Sequence, residues 1–259
     1  MYHDLQPEGS PVEAGKRPYT LDPAVFGGQL RQIEASTWRV ELLRDWAAGA
    51  RSAEGPGHPV TLILTFDDGD ASNHARALPL LLERRMRATF FVTADRVGRP
   101  GSLSIAQLRE LHAAGMEIGS HTMTHRPPAT LSESELRYEV VESKKRLEDC
   151  ISSPVVSLSS PTGFFNADMS RMAREAGYTS LCGGRLAPVS RSDDLFALPR
   201  VPIKRALGER ELRLILDLDR RYLGGLRARQ KMRNGLKRLL GPGAYVRLRS
   251  YLLGRGSGR

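Results

Sequence analysis

At 259 residues with 40% hydrophobic content, the chain is long enough to bury one sizeable core, and its two cysteines, Cys150 and Cys182, are too few for a disulfide scaffold. No run approaches 18 consecutive apolar residues and the opening MYHDLQPEGS has no basic segment leading into an apolar one, so neither a membrane span nor a signal peptide is expected and the chain reads as cytoplasmic. The net charge of +10 is concentrated in residues 204–259, where 16 Lys and Arg face four acids; the rest is close to neutral, and with no nucleic-acid motif or internal repeat the basicity does not point to nucleic acid.

Residues 1–57 are rich in Pro and Gly and read as an irregular lead-in. Thr61–Phe66 is a short, continuous run of strand formers, the pattern of a strand covered on both faces in a parallel sheet. A helix is expected over Ala75–Arg85, a strand over Ala88–Val92, and a helix over Ser104–Ala114, where Ser104 and Gln107 have capping-box spacing and Gly115 suits a left-handed stop. Met116–Ser120 reads as a strand, Leu131–Cys150 as a long helix opened by the Ser132–Glu135 cap, and Val155–Leu158 as a strand. Asn166–Ala176 reads as a helix and Tyr178–Leu181 as a strand. Strand alternating with helix implies a parallel sheet, open or closed into a barrel. Beyond Arg205 the pattern is helical, broken at Gly224-Gly225 and Gly241-Pro242-Gly243.

Two strand ends carry chemistry. In α/β folds ligands bind beyond the carboxyl ends of the strands, where Asp67-Asp68-Gly69 follows the first strand and His121-Thr122-Met123-Thr124-His125 the third. Neighbouring residues on an extended backbone point opposite ways, so Asp67 and Asp68 have different jobs. The two histidines have the spacing of one face of a helical turn, from which both rings can bind one metal ion. One carboxylate with two imidazoles is a common ligand set for zinc or another divalent ion, and it leaves the other carboxylate free to act as a base.

Thr65-Phe66-Asp67-Asp68-Gly69, followed about fifty residues later by Ser120-His121-Thr122-Met123-Thr124-His125, resembles the first two motifs of the polysaccharide deacetylases, also called the NodB-homology or carbohydrate esterase family 4 domain. The resemblance covers roughly residues 58–203, with 204–259 as a basic helical C-terminal extension. Met1-Tyr2-His3-Asp4 and Tyr19–Phe26 resemble the lead-in of members from exopolysaccharide synthesis clusters. The resemblance implies a distorted (β/α) barrel and a hydrolase that removes N- or O-acetyl groups from a polysaccharide or oligosaccharide. It implies that Asp68, His121 and His125 hold one divalent metal, zinc with cobalt or manganese as alternatives, and that Asp67 is the base.

Departures from the family pattern also carry expectations. The third motif, usually Arg-x-Pro-Tyr-Gly, reads Ser159-Ser160-Pro161-Thr162-Gly163: Pro161 and Gly163 remain as substrate-side positions, but the arginine and the aromatic are replaced. Arg200, in Leu198-Pro199-Arg200-Val201-Pro202, is a candidate for the missing cation. No histidine follows His125, so the family's general-acid histidine has no counterpart there; His3-Asp4 would line the site only if the fold brought it to the strand ends. These gaps keep open a second reading, a weak or inactive relative that binds carbohydrate. A third, a phosphatase using Asp68-Gly69-Asp70, leaves both histidines unexplained. In the tail, basic residues interleave with Leu223, Leu226, Leu236 and Leu239 through Leu253, a pattern able to cover the barrel or to lie on an anionic membrane surface.

Overall fold

The computed structural model describes residues 1–49, 60–164, 166–190, 193–232 and 235. The chain forms two compact units, Met1–Leu216 and Asp217–Arg259. The first opens with β1 (Asp4–Leu5) and β2 (Thr20–Leu21), paired in parallel, and α1 (Pro23–Glu34), whose start is capped by Asp22. Next come β3 (Arg39–Glu41) and α2 (Leu43–Gly49), so the expected irregular lead-in in fact contains regular structure. β4 (Thr61–Ile63), β5 (Thr65–Phe66) and α3 (Leu78–Glu83) follow, the last entered through a π-helical turn over residues 73–77. Then β6 (Thr89–Val92), α4 (Ile105–Ala113), β7 (Glu117–Ser120), α5 (Glu133–Ile151), β8 (Ser157–Ser159), α6 (Ala167–Glu175) and β9 (Ser180–Cys182) alternate as the sequence predicts, and α7 (Glu209–Leu216) closes the unit. Both expected capping boxes form, at Ser104 with Gln107 and at Ser132 with Glu135. Among the described residues no helix is long and apolar enough to cross a membrane.

The central sheet has the order β5-β6-β7-β8-β9, all parallel. The single strand expected over 61–66 is instead two. Thr61–Ile63 pairs with Arg39–Glu41 and Thr65–Phe66 pairs with Thr89–Phe90, so the run serves two neighbours in turn and bends at Leu64. Segments outside the named strands curl the sheet towards closure. Beyond β9, Leu198 bridges Cys182; Ile203 donates its N–H to Met1 O; and Tyr2 bridges Phe66, with Tyr2 N–H on Thr65 O and Asp67 N–H on Tyr2 O. Residues 1–3 therefore lie beside β5 and reach the same end of the barrel as Asp67 and Asp68.

Aromatic packing fastens this closing segment. Tyr2 stacks on Phe66 at 5.3 Å between centroids, Phe66 on Phe90 at 4.8 Å, and Phe26 of α1 meets Phe66 edge-on at 5.6 Å; all four side chains are fully buried. At the amino end of the strands the buried Glu117 accepts from Thr89 Oγ1 (2.7 Å), Ser157 Oγ (2.6 Å) and the Arg44 N–H (3.0 Å). These bonds satisfy a buried carboxylate without a cation and tether the start of α2 to the sheet. Cys150 and Cys182 are free, buried thiols.

In the second unit residues 217–232 and 235 are described, and 220–232 are helical, so the break expected at Gly224-Gly225 does not occur. The expected apolar stripe from Leu236 to Leu253 and the break at Gly241-Pro242-Gly243 lie outside the described residues, as does His58.

Gly119 is tightly enclosed within the sheet. A Cβ there would stand 2.6 Å from Phe91 Cδ1 and 3.0 Å from Ser157 O, in the middle of β7 and one residue before Ser120-His121. Gly119→Ala is expected to destabilise the protein by about 1–3 kcal/mol, the usual cost of an overpacked core. Chemical denaturation checks this: the midpoint falls while the slope stays unchanged.

Candidate metal and acid–base site

Asp67 and Asp68 leave β5, His121 leaves β7, and the loops that carry them are laced together. His121 N–H donates to Val92 O (2.8 Å), Ala94 N–H to Thr122 O (3.1 Å) and Asp95 N–H to Met123 O (2.9 Å). The histidine pair does not sit on a helical turn, as its spacing suggested. Residues 121–127 form an irregular loop with φ of +63° at Thr122 and +64° at His125, and Asp68 has φ of +78°. Such left-handed backbone is costly for side-chain-bearing residues and persists only where the surroundings impose it. Here the restraint comes from α5: the buried Glu139 accepts from the Thr124 N–H (2.8 Å) and from its hydroxyl, holding the loop one residue before His125.

The result brings Asp68, His121 and His125 together with one potential ligand atom each, all within 4.8 Å of one another. His121 Nε2 is 3.6 Å and His125 Nε2 3.2 Å from Asp68 Oδ1. That oxygen is buried yet accepts no hydrogen bond from either ring. An orphaned buried carboxylate oxygen facing two imidazole nitrogens fits a divalent cation, which would satisfy all three at once. The ring of His121 is oriented for it: Nδ1 lies 2.9 Å from Ser159 O, so Nδ1–H donates there and leaves Nε2 as a lone pair facing Asp68. Burial pushes His121 down to about 4, outweighing the opposing pull of Asp67 and Asp68, which keeps the imidazole neutral and able to ligate.

Asp67, 3% exposed, borders this set, with Oδ2 3.9 Å from His121 Nε2, and is held by Arg200. The guanidinium is bidentate, with NH1 to Oδ1 at 2.7 Å and NH2 to Oδ2 at 2.8 Å, and NH2 also donates to Ser159 Oγ at 2.7 Å. Ser159 Oγ is 3.4 Å from Asp67 Oδ2. The serine standing where the family pattern has arginine thus helps to seat an arginine that arrives from a different segment. Burial alone would raise the Asp67 carboxyl, but Arg200 and then His121 overcome it and hold the group down at about 2. Asp68 is likewise held below the ordinary carboxylate range: burial opposes this, and contact with His125 and the fields of His121 and His3 prevail.

Of the other expected substrate-side residues, Pro161 is buried, and Gly163 packs so closely on Gly184 that a Cβ would be 2.4 Å from its Cα. Arg200 is committed to Asp67 and Ser159. Asp70 is paired with Lys16 rather than turned to Asp68, which removes support from the Asp-x-Asp phosphatase reading.

His3 is the residue for which the sequence offered only a condition. Tyr2 pairs with Phe66, which brings the following residue, His3, level with Asp67. Asn73 Nδ2 donates to His3 O at 2.8 Å, and the ring lies 4.7 Å from Tyr19. Its Nδ1 is buried without a partner. Burial lowers its proton affinity while the charges of Asp67 and Asp68 raise it, so the ring is electrostatically part of this site. The available signal was negative: once no histidine follows His125, the remaining ones are His3, His58, His74 and His112.

A family model described as polysaccharide deacetylase matches residues 54–181. The chain is 33% identical over 129 residues to the peptidoglycan-N-acetylglucosamine deacetylase of Bacillus cereus, covering 49% of this chain and 58% of that protein. It is 29% identical over 129 residues to the chitooligosaccharide deacetylase of Sinorhizobium fredii, with the same coverage of 49% and 58%. The chain thus spans little more than half the length of these curated relatives. Among solved structures, the Streptococcus pyogenes deacetylase PplD in complex with acetate superposes with a TM-score of 0.75 at 22% identity, over 83% of this chain and 95% of that one. IcaB from Ammonifex degensii gives 0.68 at 22% identity, over 83% and 95%. These two likenesses are ones of fold.

One divalent ion per chain is expected on Asp68, His121 and His125, with affinity falling by orders of magnitude in His121→Ala because three protein ligands are the fewest usual for an open site. Elemental analysis after dialysis against zinc, cobalt or manganese measures it. Equal metal content in both proteins would contradict the assignment.

Proposed function

Because residues 54–181 belong to the polysaccharide deacetylase family, we propose that the chain is a metal-dependent hydrolase that removes acetyl groups from a polysaccharide or oligosaccharide, with a role in exopolysaccharide metabolism. The observation that carries this reading is the juxtaposition of the Asp68–His121–His125 ligand set with an arginine-locked carboxylate, Asp67, at one end of the barrel. A divalent ion on the three ligands would supply Lewis acidity, polarising an acetyl carbonyl and stabilising the negative charge that develops on its oxygen.

The chain's own residues supply proton handling. Asp67 is anionic throughout the physiological range and takes the proton of the attacking water as its oxygen bonds to the acetyl carbon. Arg200 and Ser159 fix the carboxylate's orientation, so they are positioning residues. When the bond from the acetyl carbon to nitrogen or oxygen breaks, the departing amine or alkoxide needs a proton, and we assign its donation to His3, which the pairing of Tyr2 with Phe66 brings level with Asp67. Asp67 can also return the proton it took, which allows a slower cycle without His3. Arg200 and His3 fill from distant parts of the chain the two roles left open by the third motif and the absent terminal histidine, which favours an enzyme over a silent binder.

Acetate release from a panel of acetylated glycans tests this. Asp67→Asn is expected to lower the rate by about 10² to 10⁴ at unchanged metal content, the usual worth of a general base. Equal rates for wild type and Asp67→Asn on every glycan would favour the carbohydrate-binding reading.

The pH profile gives a separate check. Arg200 lowers the Asp67 carboxyl and burial raises it, so Arg200→Gln leaves burial less opposed. A base works only above its pKa, so the acid limb of kcat/KM is expected to move to higher pH in Arg200→Gln. His3→Gln should cost more on N-acetyl than on O-acetyl substrates, since an amine leaves less readily without a proton than an alkoxide.

A further inference from the structure

Beside the His125 loop the surface holds a cleft of about 260 Å³ lined by Thr124, Arg126, Ser134, Glu135, Tyr138 and Glu139. We propose that this cleft is a saccharide subsite, which binds a neighbouring hexosamine unit of an acetylated glycan while another unit presents its acetyl group to Asp68, His121 and His125. The inference rests on the reading of the site as a glycan hydrolase and adds where the rest of the chain lies.

Position comes first. Thr124 and Arg126 flank His125 in sequence, so the loop that carries a ligand of the cluster also supplies two residues of the cleft. The wall is rigid, because Thr124 is tied to Glu139 through both its N–H and its hydroxyl. Size is consistent: the volume lies below the ~300–1,000 Å³ of drug-sized pockets, which suits one unit of a polymer bound in series.

Chemistry selects a sugar. A pyranose ring has an apolar C–H face and a rim of hydroxyls, so it needs an aromatic surface with polar groups at its edge. Tyr138, on the second turn of α5, is 51% exposed although most aromatic side chains of the first unit are buried. Its ring gives the apolar platform and its phenol a polar tip. At the mouth, Arg126 NH1 and Glu135 Oε1 pair at 2.9 Å, with side chains 50% and 43% exposed. Arg126 reaches Glu135 through one terminal nitrogen, and a guanidinium carries five N–H donors in a planar fork, a geometry suited to adjacent sugar hydroxyls. Ser134 adds a hydroxyl on the same rim.

The test separates the subsite from the hydrolase reading. The probe is a β-1,4-linked pentamer of N-acetylglucosamine, with the dimer for comparison, titrated calorimetrically into zinc-loaded Asp67→Asn protein so that turnover does not interfere. Adding Tyr138→Ala is expected to weaken the pentamer about tenfold and to reduce its advantage over the dimer, whereas Tyr138→Phe, which keeps the ring face, restores most of it. In protein with Asp67 intact, Tyr138→Ala should raise KM for the pentamer with little change in kcat. Equal pentamer affinity with and without Tyr138→Ala, or no pentamer binding to either protein, overturns the subsite. Tyr138-dependent binding without acetate release by wild type overturns the hydrolase reading and leaves the subsite standing.

Discussion

The buried ion pair between Asp67 and Arg200 is the contact on which the geometry of this barrel end depends. The two residues are 133 positions apart, and the guanidinium meets the carboxylate through two bonds of 2.7 and 2.8 Å with Arg200's side chain only 9% exposed. Removing one member of such a pair leaves an uncompensated buried charge, which typically costs about 3–5 kcal/mol. The pairing therefore acts twice. It fixes the segment from Leu198 to Ile203 against β5 and β9, and it holds Asp67 beside His121 while Asp68 meets both histidines.

From that constraint the division of labour between adjacent carboxylates follows. Asp67 is satisfied by Arg200 and Ser159, whereas Asp68 is turned by its positive φ towards two imidazoles and keeps an oxygen that no described residue satisfies. The left-handed conformations at Asp68, Thr122 and His125 concentrate backbone cost on the loops that converge there. Glu139 from α5 and the crossed hydrogen bonds between the loops after β6 and β7 supply the restraint. Among the described residues, the rest of the barrel, with the hydroxyl-bonded Glu117 at its other end, has no comparable cluster of strained residues around a carboxylate.

The fold also explains how a chain with serine at position 159 still sets a cation beside Asp67. A cation beside a buried carboxylate needs only the right position, and its source in the sequence is immaterial. With serine at 159 there is room for a guanidinium to enter from residue 200, and the serine hydroxyl bonds to it. His3 arrives by the same logic, carried beside β5 by the pairing of Tyr2 with Phe66 and held by the aromatic stack beneath it.

The sequence by itself determined the order and kind of the elements from β5 to β9, because burial periodicity, capping boxes and helix stops act over a few residues. It also placed Asp67, Asp68, His121 and His125 at strand ends, since a polar cluster that ends an apolar run is visible locally. The tertiary structure decided the rest. The run 61–66 bends at Leu64 because two different strands compete for its two halves, and the start of the lead-in is fastened to the barrel because Tyr2 and Phe26 find Phe66. The histidine pair shares a loop instead of a helix because Glu139 and the neighbouring loops outweigh the local preference of its backbone. Arg200 reaches Asp67 across 133 positions, the Tyr2–Phe66 bridge brings His3 level with it, and no local pattern encodes which buried charge a distant side chain will meet.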